Sequence, residues 1–192
     1  MEKFKKKCHS GSVAVFKDPE SKIIFNGGGS MRGMTVPRES FVIDVGCEVL
    51  EMNCTNIAIS KGLSEQFVKK VNKMQDLNLK GILIDWKDGD VIAFKGDFWN
   101  LLIQEIRFQK RNVYVGCVGG HGRTGTVLAI FAGLLGVTKD PISFIRKSYC
   151  INAVETFSQV KYIEEITGLV SSEGVKESLY FTHFSKGKEY DK

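Results

Sequence analysis

The chain has 192 residues, 43% of them apolar and 26% charged, with a formal net charge of +5. Those proportions describe an ordinary globular protein, long enough to bury a sizeable core as one domain. They exclude several classes. The longest apolar run, Val127 to Val137, is too short to cross a bilayer. The basic start, Met1 to Lys7, has no apolar segment behind it and reads as no signal peptide. Five irregularly spaced cysteines without a C-x-x-C pair argue against a disulfide framework and a zinc site, and for a reducing, cytoplasmic setting. The net charge suits an anionic substrate without demanding one.

In chain order, residues 1–10 form a basic lead whose lysines lack interleaved aromatics, so a solvated tail is expected rather than a nucleic-acid arm. Val13 to Phe16 and Ile23 to Phe25 flank Asp18-Pro19-Glu20-Ser21 as a hairpin. Gly27-Gly28-Gly29-Ser30 reads as a turn or mobile loop, since no strand-to-helix order surrounds it. Phe41 to Val45 is a buried strand. Ser64 to Met74 places Phe67, Val68, Val71 and Met74 at helical spacing behind Ser64 as N-cap.

Gly81 to Ile84 is a second buried strand that runs into Asp85-Trp86-Lys87-Asp88-Gly89-Asp90. Asp97 caps a helix marked by Phe98, Leu102 and Ile106. Val113 to Val115 is a strand, and a long apolar helix begins near Val127. Asp140-Pro141 is a cap with proline at the first helical position. Thr156-Phe-Ser-Gln159 fits a capping box that opens a helix carrying Val160, Ile163 and Ile166. From about residue 171 the chain turns polar, and 171–192 reads as a loosely held tail. Strands alternating with helices give an α/β protein, a single domain over 1–192 with no internal repeat.

The most informative stretch lies between strand and helix: Cys117, then Val118-Gly119-Gly120-His121-Gly122, then Arg123 and Thr124. A glycine-rich loop at a helix N-terminus turns backbone N–H groups toward an anion. Those donors and Arg123 favour the thiolate of Cys117, the form that attacks electrophiles. They also match the equatorial oxygens of a phosphoryl group, with the guanidinium adding a planar bidentate contact. One set of groups can thus activate a nucleophile and stabilise a transition state. The Thr124 hydroxyl can donate to the sulfur and ease its departure. A nucleotide P-loop is a poor fit, because it needs glycine where Cys117 stands and lysine where Arg123 stands.

Cys117-Val-Gly-Gly-His-Gly-Arg123-Thr124-Gly125 resembles the signature loop of the cysteine-based protein tyrosine phosphatase superfamily, which includes the dual-specificity phosphatases. The resemblance covers residues 80–168 well and the earlier part in outline. It implies a phosphatase-like α/β fold, with a central mixed sheet flanked by helices on both faces. It also implies hydrolysis of phosphoric monoesters through a phosphocysteine intermediate, with no metal or other cofactor. Val118, Gly119, Gly120, His121, Gly122 and Arg123 become the phosphate-binding residues. Gly116 stands where most members have histidine.

Such an enzyme needs a general acid on a second loop. Trp86-Lys87-Asp88 resembles the family's Trp-Pro-Asp loop, with lysine in place of proline, and selects Asp88. Asp85, at the strand end, is the rival, and Asp90 is third. Ala153-Val154-Glu155-Thr156-Phe157-Ser158-Gln159 resembles the glutamine-bearing loop that positions the hydrolytic water. Glu155 falls at the first glutamine position and Gln159 at the second; the capping box is an equal account of Gln159. The glutamate is expected to point away from the phosphate. His121 either contacts substrate or fills space beneath the loop.

The expected substrate is a phosphorylated protein, on phosphotyrosine with or without dual specificity. Phosphoinositides and RNA 5′-triphosphates are alternatives on the same scaffold, and nucleic acid is a partner only in the last case. An inactive phosphate-binding module has no use for the thiol. A monomer with no membrane partner is expected.

Overall fold

The computed structural model describes residues 11–29, 36–46, 56–59, 81–84, 86–92 and 94–186. Six strands form one mixed sheet: β1 (Val13–Lys17), β2 (Ile24–Gly29), β3 (Phe41–Val45), β4 (Asn56–Ile59), β5 (Gly81–Ile84) and β6 (Val113–Cys117). Their order across the sheet is β1-β2-β6-β3-β5-β4. The β1–β2 hairpin is antiparallel and every other pairing is parallel. Five helices follow among the described residues: α1 (Gly96–Gln109), α2 (Gly122–Leu134), α3 (Pro141–Ser148), α4 (Phe157–Thr167) and α5 (Glu173–Lys186).

Parallel strands β2, β3, β5 and β6 all end at one edge of the sheet. In an α/β sheet the crevice outside the carboxyl ends of the strands is where ligands bind. Alternation along β6 sends Val113, Val115 and Cys117 into the main core, while Tyr114 and Gly116 lie on the opposite face. Helix α2 is buried along nearly its whole length and packs on β6, β2, α1, α3 and α4. A helix that is apolar all round belongs in a core, and this one begins at the signature loop. Phe131 on α2 meets Phe25 of β2 and Trp99 of α1 at ring-centroid distances of 5.1 and 5.8 Å.

Local signals in the sequence account for most of these boundaries. The hairpin, the strands at Phe41 and Gly81, and the capping box at Thr156–Gln159 form as expected. Asp140 accepts from Ser143 N at the start of α3. Asp97 sits inside the first turn of α1 rather than capping it, since Lys95 occupies the cap. Its carboxylate still complements the positive end of the helix.

Two further expectations are corrected. Gly27–Gly29 is the buried second half of β2, not a turn or mobile loop. A Cβ at Gly27 would come within 2.8 Å of Leu128 and Tyr149, and one at Gly29 within 2.6 Å of Gly120 N. Glycine is needed there because side chains and the signature loop press on the strand. The described part of the expected tail over 171–192 is not loose: Glu173–Lys186 is α5, which buries Val175 and Leu179 one turn apart, and residues 187–192 lie outside the described residues. The expected helix at Ser64–Met74 lies outside the described residues, and so does a test of helices on both faces of the sheet.

Candidate active site

Cys117 ends β6, and its thiol is buried where the chain turns into α2. Gly120 N donates to Cys117 Sγ at 3.2 Å, and Thr124 Oγ1 lies 3.1 Å from the same sulfur. The loop reverses through Gly120, whose φ of 70° lies in the left-handed region that glycine adopts without strain. Helix α2 starts at Gly122, so Arg123 and Thr124 lie in its first turn. The N–H groups of that turn have no partner within the helix and point out of its end.

Three neighbours fix the loop from outside. Tyr149 Oη donates to Gly120 O at 2.6 Å. Gly28 O lies 3.3 Å from Thr124 Oγ1, and Gly29 runs beside Gly119 and Gly120. On the opposite face of the sheet the Tyr114 side chain reaches the position a Gly28 Cβ would occupy. Burial, reinforced by the charges of Cys117 and Asp44, pushes the Tyr114 phenol well above its ordinary value, so it remains a protonated hydroxyl.

Arg123 links this loop to the one after β5. Its Nη1 donates to Trp86 O at 2.9 Å, and Nη2 lies 3.1 Å from Asp88 Oδ1. Its Nε is buried without a hydrogen-bond partner among the described residues. Gly46, just past β3, leaves room for the guanidinium, because a Cβ there would collide with Nη1. The buried Trp86 ring anchors the second loop by donating from Nε1 to Asp90 O at 2.9 Å. Gly89, at φ 72°, closes the turn.

The three candidate acids separate. Asp88 is exposed and in contact with Arg123. Asp90 uses its carboxylate locally, accepting from Val91 N at 2.8 Å. Asp85 lies outside the described residues.

The turn before α4 approaches the loop from the other side. Arg146 donates from Nε to Ala153 O at 3.0 Å and from Nη2 to Val154 O at 2.9 Å. Those bonds hold Val154 at a φ of 62°, a conformation costly for a β-branched residue. Gln159 Oε1 accepts from Glu155 N at 2.8 Å and from Thr156 N at 3.3 Å, completing the capping box. Its Nε2 is buried without a partner among the described residues, and a Cβ on Gly122 would lie 3.0 Å from it. The Gln159 oxygen thus caps the helix, while the amide nitrogen faces the signature loop.

Glu155 does not point away. Its Oε2 lies against Gly122, and Oε1 is 3.6 Å from His121 Nδ1. The backbone before it, fixed by Arg146 and the capping box, aims the carboxylate at the loop rather than at solvent.

The structure thus gathers Cys117, Arg123, Thr124, Asp88, His121, Glu155 and Gln159 around one helix end. Sequence reasoning missed Tyr149 and the contribution of Gly28, Gly29 and Gly46. Only the run of three glycines carried a signal, since consecutive glycines also mark close backbone approach. Among the described residues no cluster of His, Cys, Asp and Glu is arranged to hold a metal, and no helix is long and apolar enough to cross a membrane.

Comparison with known proteins adds a family. Residues 94–167 match the family described as Swiss Army Knife protein, DSP-PTPase phosphatase domain. Two uncharacterised proteins of Methanocaldococcus jannaschii are 46% and 49% identical over 69 residues. Each match takes in 34% of this chain and less than half of the relative, 43% and 46% respectively. Among solved structures, Tk-PTP in its active form is 20% identical, with 81% of this chain and 96% of that one covered at a TM-score of 0.46. The segment that carries Cys117, Arg123, Glu155 and Gln159 is thus similar to the dual-specificity and protein tyrosine phosphatase superfamily.

Proposed function

We propose that this protein is a phosphoric monoester hydrolase acting on phosphotyrosine in proteins, with or without dual specificity, through a phosphocysteine intermediate. The observation that carries the reading is the environment of Cys117 Sγ. The sulfur receives Gly120 N–H at 3.2 Å and faces the Thr124 hydroxyl at 3.1 Å, at the N-terminal end of a buried helix. Those donors converge on the atom that the reading makes the nucleophile, and a structural cysteine would have no need of them.

Each residue then has a task. The loop N–H groups and Arg123 hold the phosphoryl oxygens, and Nε, without a partner among the described residues, is a guanidinium donor left for a phosphate. The phosphate displaces Asp88 from Nη2, which leaves that carboxyl beside the substrate on the Trp86-anchored loop. Cys117 attacks phosphorus in line with the leaving oxygen, which takes a proton from Asp88. Water then cleaves the phosphocysteine, and the Thr124 hydroxyl supports the departing thiolate.

A substrate panel tests the assignment: phosphotyrosine and phosphoserine peptides, phosphoinositides and triphosphorylated RNA, each with the unmodified protein and Cys117→Ser. Phosphotyrosine peptides are expected to turn over fastest, with C117S inactive. Faster turnover of phosphoinositide or RNA would overturn the protein substrate while leaving the cysteine chemistry in place.

A further inference from the structure

Glu155 stands where the family resemblance expects glutamine, yet it faces the signature loop. Its Oε2 abuts Gly122, its Oε1 lies 3.6 Å from His121 Nδ1, and the side chain is 48% exposed. Beside it, Gln159 Nε2 is buried with no hydrogen-bond partner among the described residues and is aimed at the same glycine. Water poised to attack needs a donor that orients its oxygen and an acceptor that removes its proton. Those two groups stand side by side here. Their backbone is fixed by the Arg146 bonds to Ala153 O and Val154 O and by the capping box.

We propose that Glu155 is the general base of the second chemical step, with Gln159 orienting the water, so that Asp88 serves only the first step. The inference rests on the phosphatase reading above and deepens it. The water oxygen bonds to phosphorus and its proton passes to the Glu155 carboxylate. The P–S bond breaks with its electron pair returning to Cys117 Sγ, and inorganic phosphate leaves. Charge balances across the step, and nothing is oxidised or reduced. The carboxylate is tolerated beside a phosphate because His121, when protonated, and the positive end of α2 lie against it.

The geometry divides the labour. Asp88 reaches the site through Arg123 on the loop after β5, where the leaving group departs. Glu155 approaches from the turn before α4. With separate groups, loss of the base blocks only the second step and loss of the acid only the first, whereas loss of a single shared carboxylate weakens both on an ester that needs the acid.

Rapid-mixing kinetics test this on the full chain, using an aryl phosphate whose phenol leaves without protonation. Wild type, E155Q, E155A and D88N are compared, and acid-quenched protein is assayed for phosphocysteine. E155Q and E155A are expected to keep the first step and release one equivalent of phenol in a burst. Steady turnover should then be slowed about 10²-fold, with phosphocysteine accumulating. D88N should show no accumulation. E155Q retains an oxygen that can accept from His121, so a merely structural role would spare E155Q and impair E155A in both steps. That pattern, or unchanged steady turnover without accumulation in E155Q, overturns the inference alone. A wild-type protein that does not turn over the ester overturns the phosphatase reading and this inference with it.

Discussion

The contact between Asp88 and Arg123 has opposite consequences for binding and for chemistry. In the proposed mechanism a carboxylate at 3.1 Å from Nη2 competes with a phosphate for the guanidinium, yet it also keeps the acid's loop close to the loop it would serve. D88N removes the competing charge and the transferable proton together. It should bind inorganic phosphate more tightly, while kcat on an ester with a poorly leaving alcohol falls about 10²- to 10³-fold. Titration with phosphate and a leaving-group series measure the two effects separately. If kcat on poor leaving groups is unchanged, the acid lies elsewhere, and Asp85 is next. Arg123→Lys keeps the charge but loses the planar fork and the bond to Trp86 O. It is expected to lose at least about 10²-fold in kcat/KM, with little change in thermal stability if the loops are held mainly by Tyr149 and Trp86.

At the scale of the elements, β2 shapes the site as much as the signature loop does. Its last residues pair with Gly116 and Cys117, and they pass so close to Tyr114, Tyr149 and the loop backbone that no side chain fits. Gly28→Ala should therefore destabilise the fold by roughly 1–3 kcal/mol through overpacking against Tyr114. Pairing it with Tyr114→Phe should recover part of the loss. Denaturant titration of both variants checks this, and an unaltered midpoint in G28A would show that the strand can move aside. The run of glycines illustrates what a sequence conceals. Composition marks a turn, whereas the strand is specified by partners about 90 residues away, Tyr114 and the Gly119–Gly120 peptide. By contrast, the Asp140 cap and the Thr156–Gln159 box are short-range signals, and both were legible. Helix α5 was missed because its polar exterior dominates the composition; among its described side chains Val175 and Leu179 mark the packed side.

Across the whole molecule, the parallel strands deliver Gly29, Gly46, the Trp86 loop and Cys117 to one edge of the sheet, and α3 and α4 bring Tyr149, Glu155 and Gln159 to meet them. Cys117 and Arg123 were legible as a pair because they lie six residues apart in one motif. Their supports come from distant segments that only topology unites. Far from the site, Asp18 ties the hairpin to α1. Burial alone would raise its carboxyl, but Arg107, at 2.8 and 3.0 Å, Ser21 and the Glu20 N–H outweigh burial and hold it well below the usual range. A depressed folded value means stability is present above the unfolded value of about 4 and is lost as pH falls below it. Between pH 5 and 2 the wild type should therefore lose more stability than Asp18→Asn, which itself costs about 2 kcal/mol at neutral pH. Thermal unfolding across that range measures both, and parallel pH profiles would remove Asp18 from the account.

In the proposed mechanism Cys117 carries the phosphoryl group. Acid-quenching the protein during turnover of a radiolabelled phosphotyrosine peptide and mapping the label tests it most directly. Label is expected on Cys117 of the unmodified protein, enriched in E155Q, with neither label nor turnover in C117S. Turnover that persists in C117S, or label on any other residue, would contradict it.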